Sequence, residues 1–236
     1  MRTHQPSPVL LTRRDIELLR WLTLHRFAAT RQLARLMSVG ERGARWRADR
    51  LRQLGFLDVQ SLPKGSGTAW IPTRLGATVV DLEWKRQSFS WATHRHVLAV
   101  TDKAIDLHLA GEVVVSEREM RREDQPYGEW QTNLRYAATA IGGNGPHLPD
   151  LFVEREHGGR EAIEVELTRK ASREWVRVMG AYRPSRHIDV VTYYTPDESI
   201  LDGLVRAVHA AGAHRVVRIV EARLVFGLTD RSRRKC

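Results

Sequence analysis

A mixed α+β and α/β chain is what the sequence predicts: a small helical domain closed by a β-hairpin over residues 1–90, then a layered αβ domain over 91–236 that ends in a basic tail. Three observations carry that reading. The first part breaks into three amphipathic helical stretches followed by a strand–turn–strand signal. The back half alternates short β-branched runs with longer stretches of helical period. The 236 residues are also enough for two small domains, each with a core of its own.

The first helix begins at Thr12. The run T-R-R-D is a capping signal with Asp15 at the third helical position, and Ile16, Leu19, Leu22 and Leu24 give an apolar face through about Arg26. Thr30 is placed to cap a short helix, RQLARLM, and Ser38-Val39-Gly40 reads as a tight turn. The next stretch, ERGARWRADRLRQLG, puts Ala44, Ala48, Leu51 and Leu54 on one face and is stopped by Gly55. Its other face carries Arg42, Arg45, Asp49 and Arg52 along one stripe, with Arg47 and Arg50 beside it.

Helix, short helix, tight turn and basic helix is the order of a helix-turn-helix, whose second helix enters the major groove. The planar guanidinium of arginine can hold guanine O6 and N7 or a phosphate. Phe56–Gln60 and Ala69–Ile71 then read as a hairpin with Lys64 at its tip, the "wing" of a winged helix-turn-helix. A basic wing tip touches phosphate or minor groove. Pro72-Thr73 opens a further helix, RLGATVVDLEWKR.

Charge agrees with this placement. The chain carries a formal +10 with a pI of about 10.4, so polyanions are the first partners to consider. Residues 1–60 hold twelve arginines, no lysine and five acids, which is +7 of the total. The single cysteine, Cys236, excludes an internal disulfide framework and a cysteine-rich zinc site. The start has too short an apolar stretch for a signal peptide, and no run approaches the ~18 apolar residues of a membrane span. A cytoplasmic protein is expected.

In the back half, residues 91–110 are helical in period, and His94 and His96 read as a surface pair near the helix start. Residues 112–116 form a strand and SEREMRRED a polar turn or short helix, while the glycine-rich loop 142–146 lacks the strand-and-helix context of a phosphate-binding motif. Further on come the helix SREWVRVMGAYR, the strand IDVVTYY, the helix ESILDGLVRAVHAAG and the strand HRVVRIVEA.

Between them lies LPDLFVEREHGGREAIEVELTRK, residues 148–170. Leu151 and Val153 alternate with Phe152 and Glu154; Ile163, Val165 and Leu167 alternate with Glu164, Glu166 and Thr168. Strand residues two apart share a face. Odd positions must therefore pair with odd across an odd-length connection near His157-Gly158-Gly159, which sets Asp150 across from Glu164 and Glu166 on the face away from the aliphatic core. Opposed Cβ atoms are only ~4.5–5.5 Å apart, so the three carboxylates converge. Their mutual repulsion calls for a cation, and a hard ion such as Mg2+ prefers such oxygen ligands.

Pro149-Asp150 followed by Glu164-Val165-Glu166 resembles the PD-(D/E)xK motif of the restriction-endonuclease-like fold. The resemblance implies metal ligation by Asp150 and Glu164, to which the convergence adds Glu166 as a third candidate ligand, and catalytic roles for Asp150, Glu164 and Lys170 if the site is active. Glu166 stands where that family has its lysine, and the nearest lysine is Lys170. Together with the run Asp49–Leu57, D-R-L-R-Q-L-G-F-L, and with E-V-E-L-T, the pattern resembles the replication-relaxation family over about residues 12–185. That resemblance implies DNA binding connected with plasmid replication, relaxation or transfer.

Three readings stand at this point. One is a double-stranded DNA-binding regulator or accessory factor of a plasmid or mobile element, with Arg42, Arg45, Arg47, Arg50, Arg52 and Lys64 on DNA. Its nuclease-like domain is inactive and serves as a homodimer surface or second DNA contact, with replication or transfer proteins as partners. The alternative is a Mg2+-dependent endonuclease built on Asp150, Glu164 and Lys170. The third is a protein adaptor whose basic face is incidental. None involves a membrane.

Overall fold

The computed structural model describes residues 11–62, 67–85, 91–124, 135–136, 138, 147–155 and 158–222. The chain divides into two compact units, Met1–Ser88 and Phe89–Cys236. Together they give a mixed α/β protein with eight helices and two sheets among the described residues.

In the first unit, helix α1 (Arg13–His25) starts at the expected capping box, with the Thr12 hydroxyl accepting from the Asp15 backbone and the Asp15 carboxylate accepting in return. Strand β1 (Ala28–Ala29), α2 (Thr30–Leu36) and α3 (Glu41–Gln53) follow, and α2 meets α3 through a turn in which Ser38 takes a positive φ of 53°. Thr30 does not cap α2, contrary to expectation. Ala29 is the cap residue, Gln32 Oε1 accepts its backbone N–H at 2.9 Å, and the Thr30 hydroxyl accepts from the buried Trp70 indole at 3.0 Å. A buried indole N–H needs an acceptor, and that need outweighs the capping preference.

Gly55, at φ 81°, ends α3, and the expected hairpin forms as β2 (Leu57–Ser61) and β3 (Thr68–Pro72). The sheet is antiparallel in the order β1-β3-β2. Leu19, Leu22, Leu33, Leu51, Leu57 and Trp70 fill the core beneath it. The last helix of the unit, α4, spans only Arg74–Thr78, far shorter than expected. Thr78-Val79-Val80 is a β-branched run that loses rotamer freedom in a helix. Asp81 turns the chain at φ 55°, and the Trp84 indole donates to the Pro72 carbonyl at 3.1 Å.

The second unit runs α5 (Trp91–Leu109), β4 (Val113–Ser116), α6 (Glu117–Glu123), β5 (Leu151–Glu154), β6 (Arg160–Val165), α7 (Ser172–Tyr182), β7 (Val190–Thr195), α8 (Glu198–Ala211) and β8 (Val217–Glu221). Its sheet has the order β4-β5-β6-β7-β8. The first two pairings are antiparallel; β6–β7 and β7–β8 are parallel, each joined by a helix. The β5–β6 register pairs Leu151 with Ile163 and Val153 with Glu161, odd with odd as the alternation requires.

The odd positions Leu151, Val153, Ile163 and Val165 are buried as expected, but the even face, expected to be wet, is buried as well. Phe152 and Ala162, at even positions, lie in the main core with Trp175, Met179, Tyr182 and Leu204 of α7 and α8. The odd-position Val165 packs with Ala99 of α5 and with Ala222. Both faces of β5 and β6 are therefore covered; Glu164 and Glu166 meet Tyr182 and Trp175 of α7, and Asp150 meets His96 of α5, rather than a wet face. A strand buried on both sides reads as a nearly continuous apolar run. Acids interrupt that run near both ends of β6: Glu161, buried and paired with Thr192 and Arg155, and Glu164.

Candidate functional site

On α3, Ala44, Ala48 and Leu51 are buried, and these small or slender side chains set one face of the helix against the core. Arg42, Arg45, Arg50 and Arg52 are exposed on the remainder. Arg52 makes only a loose 3.4 Å contact with Asp49 one turn back. Arg47 is placed differently from its neighbours. Its guanidinium donates to Asp15 Oδ1 at 2.7 Å and to the Thr12 hydroxyl at 3.1 Å, so it clamps α3 to the start of α1. Burial pushes the Asp15 carboxyl up, but the Thr12 hydroxyl and N–H together with Arg47 hold it below the usual carboxylate range. Lys64 lies outside the described residues.

In the second unit the hairpin register brings Asp150 opposite Glu164, and each carboxylate of the motif already accepts from at least two donors. Asp150 accepts from His96 Nε2 of α5 at 2.8 Å and from the Val165 backbone N–H at 2.8 Å. Glu164 Oε1 accepts from His147 Nε2 at 2.7 Å and from the Tyr182 hydroxyl at 2.6 Å. Glu166 Oε2 takes the Lys170 ammonium at 2.8 Å and the Trp175 indole N–H at 3.1 Å. Beside them, the buried Tyr193 hydroxyl has no hydrogen-bond partner among the described residues.

Electrostatics bind these groups into one centre. Burial pulls both imidazoles down, but carboxylates win: Asp150 raises His96, with Glu164 and Glu166 behind it, and Glu164 raises His147, with Asp150 adding to it. Burial likewise opposes the charge on Asp150, yet His96, the Val165 N–H and Lys170 keep its pKa lowered. Lys170 is raised despite burial, through Glu166 first and then Glu164. Burial and the same carboxylates push the Tyr182 and Tyr193 phenols well up, so both stay protonated. Oxygen ligands of this type suit a hard divalent ion. As arranged here, the carboxylate oxygens such an ion would use already accept from two imidazoles, an ammonium, a phenol, an indole and a backbone N–H. Among the described residues no group of three or more His, Cys, Asp or Glu side chains stands in a geometry that could hold a metal.

The replication-relaxation family model matches residues 19–193, about three-quarters of the chain. The chain belongs to the replication-relaxation family. The match runs from inside α1 to β7 and so takes in both α3 and the carboxylate centre. This agrees with the family resemblance carried by the D-R-L-R-Q-L-G-F-L run and the P-D and E-V-E-L-T motifs. Among curated proteins none matches it. No helix among the described residues is long and apolar enough to cross a membrane.

Around this replication-relaxation motif, the sequence shows the carboxylates but not their partners. His96 is no member of a surface pair: it reaches Asp150, while His94 is buried. Its distance from Asp150 along the chain, 54 residues, hides the contact. His147 sits just before Leu148-Pro149-Asp150 and is held by a bridge between its own backbone and Ala138, so proximity to the motif was its one available signal. Tyr182 and Trp175 come from the apolar face of α7, where aromatic residues ordinarily read as core.

Proposed function

We propose that this replication-relaxation protein binds double-stranded DNA through a winged helix-turn-helix, with α3 as the recognition helix and the β2–β3 hairpin as the wing. In that role it acts as a regulator or accessory factor in replication, relaxation or transfer of a plasmid or mobile element. The observation that carries this reading is the exposed arginine face of α3, Arg42, Arg45, Arg50 and Arg52, on a helix whose opposite face is anchored by alanines and by the Arg47–Asp15 clamp. A surface of that charge complements phosphate, and arginine can also read guanine in the major groove. The test is a fluorescence-anisotropy titration of labelled duplex DNA from the gene's flanks. Affinity falling with each exposed arginine replaced supports the reading; equal affinity in the Arg45→Ala/Arg52→Ala protein, folded by circular dichroism, sinks it.

In this reading the second unit is a restriction-endonuclease-like domain that does not cleave DNA. Its carboxylates are neutralised from within the chain, and Glu166 adds negative charge where the PD-(D/E)xK pattern has its lysine. The domain then serves as a homodimer surface or a second DNA contact. One observation favours the alternative, a Mg2+-dependent endonuclease: Lys170 folds back to within 2.8 Å of Glu166 and so brings an ammonium to the motif. A supercoiled-plasmid assay with Mg2+ and with Mn2+ separates the two. Cleavage lost in both Asp150→Asn and Lys170→Ala would establish the nuclease.

A further inference from the structure

Trp46 is the most exposed large apolar side chain among the described residues, at 64 %. It stands on α3, and no part of the fold uses it. The buried stripe of that helix is Ala44, Ala48 and Leu51, while Trp46 continues the outward line Arg42, Trp46, Asp49, Gln53 at steps of four, three and four. With Asp49, Arg50 and Gln53 it lines a shallow surface groove. An indole held in water among arginines gains nothing for folding. Its placement makes sense as a contact surface.

The charge around it selects the occupant. Arg42 on the stripe and Arg45, Arg50 and Arg52 beside it are exposed, so the face complements a polyanion rather than an apolar protein surface. The B-form major groove, which admits a helix, offers few apolar features, and chief among them is the thymine 5-methyl group. Gln53 lies seven residues further along, about 10 Å at helical rise, or roughly three base-pair steps, and its amide suits adenine N6 and N7.

We infer that Trp46 is a specificity-determining residue: it covers a thymine 5-methyl group in the major groove, so that α3 selects sites with a thymine at a fixed position. This deepens the DNA-binding reading above and rests on it.

The test uses the full chain and a duplex recovered by selecting the wild-type protein on a random-sequence duplex library. Each thymine of the recovered site is replaced in turn by deoxyuridine, which removes only the methyl group. At one position the wild type is expected to lose about fourfold in affinity, the worth of one buried methyl group. Trp46→Gln should bind the thymine and deoxyuridine duplexes equally, and Trp46→Phe should keep part of the discrimination. The inference is overturned if no thymine shows the effect, if Trp46→Gln discriminates like wild type, or if its loss is the same on both duplexes. Arg42→Ala/Arg45→Ala distinguishes the two levels. If that variant loses binding while Trp46→Gln behaves like wild type, DNA binding stands and the role of Trp46 falls; if it too binds unchanged, the recognition-helix reading falls with it.

Discussion

Arg47 of α3 and Asp15 of α1 close a 2.7 Å ion pair across 32 residues of sequence, and the same carboxylate caps the helix from which it comes. One acid thus holds a helix start and fixes the angle at which the arginine helix is presented. Arg47, five residues from both Arg42 and Arg52, belongs to the scaffold rather than to the outward face.

Replacing Arg47 by alanine should cost about 1–3 kcal/mol of stability, the worth of charge-assisted bonds to a buried acid. Because the folded Asp15 carboxyl is held below its unfolded value, its contribution is present above the ordinary carboxylate pKa and lost as pH falls through the lowered folded one. Urea midpoints measured across the acid range should therefore show a shallower acid limb in Arg47→Ala. An unchanged limb would remove the clamp from the account.

Arg45→Ala and Arg52→Ala should each weaken specific DNA binding by about 1–3 kcal/mol where the arginine makes a bidentate base contact. The binding constant should fall with salt at a log–log slope near −0.9 per phosphate contact, and Lys64→Ala should flatten that slope slightly without changing the preferred sequence. Titrations at several salt concentrations check both. Salt-independent affinity would favour the adaptor instead.

At the carboxylate centre, a divalent ion has to displace His96, His147 and Lys170 from their partners. Calorimetry should therefore find weak Mn2+ or Mg2+ binding, abolished in Asp150→Asn and strengthened in His96→Ala/His147→Ala. Tight binding by the wild type would show that the internal cations do not hold the site.

The two imidazoles also set a pH dependence. Their folded pKa values are raised, so the stability they contribute is complete below the ordinary imidazole value and is lost as pH rises through the raised one. Wild-type protein should lose stability across the neutral-to-alkaline range, and His96→Gln/His147→Gln should show a flatter profile. Parallel profiles would contradict the coupling.

Gly203 controls the indole that binds Glu166. A Cβ at position 203 would stand 2.4 Å from Trp175 Cζ3, so Gly203→Ala must displace the ring. A loss of about 1–3 kcal/mol is expected from overpacking. Trp175→Phe, which removes the N–H donor together with part of the buried ring, should leave Glu166 one bond short and a small cavity beside Gly203. Thermal unfolding of the two variants ranks them.

Most of the element order of both units was legible, the short strand β1 excepted, because it depends on local signals: the Thr12–Asp15 cap, the stop at Gly55, the period of α3, and the odd-with-odd alternation that fixed the β5–β6 register. That register alone sets Asp150 across the hairpin from Glu164. Tertiary structure decided the rest. Alternation says that two faces differ, but not which is covered, and α7 with α8 buried the even face that carries Glu164 and Glu166. Whether an arginine on α3 faces water or a neighbour depends on Asp15, a residue 32 positions away. The imidazoles that neutralise the acids arrive from α5 and from the bridge to Ala138, and such contacts leave no period in the chain. Local preferences act over a few residues and are written in the sequence; charge pairing acts through space and needs the fold to bring its partners together.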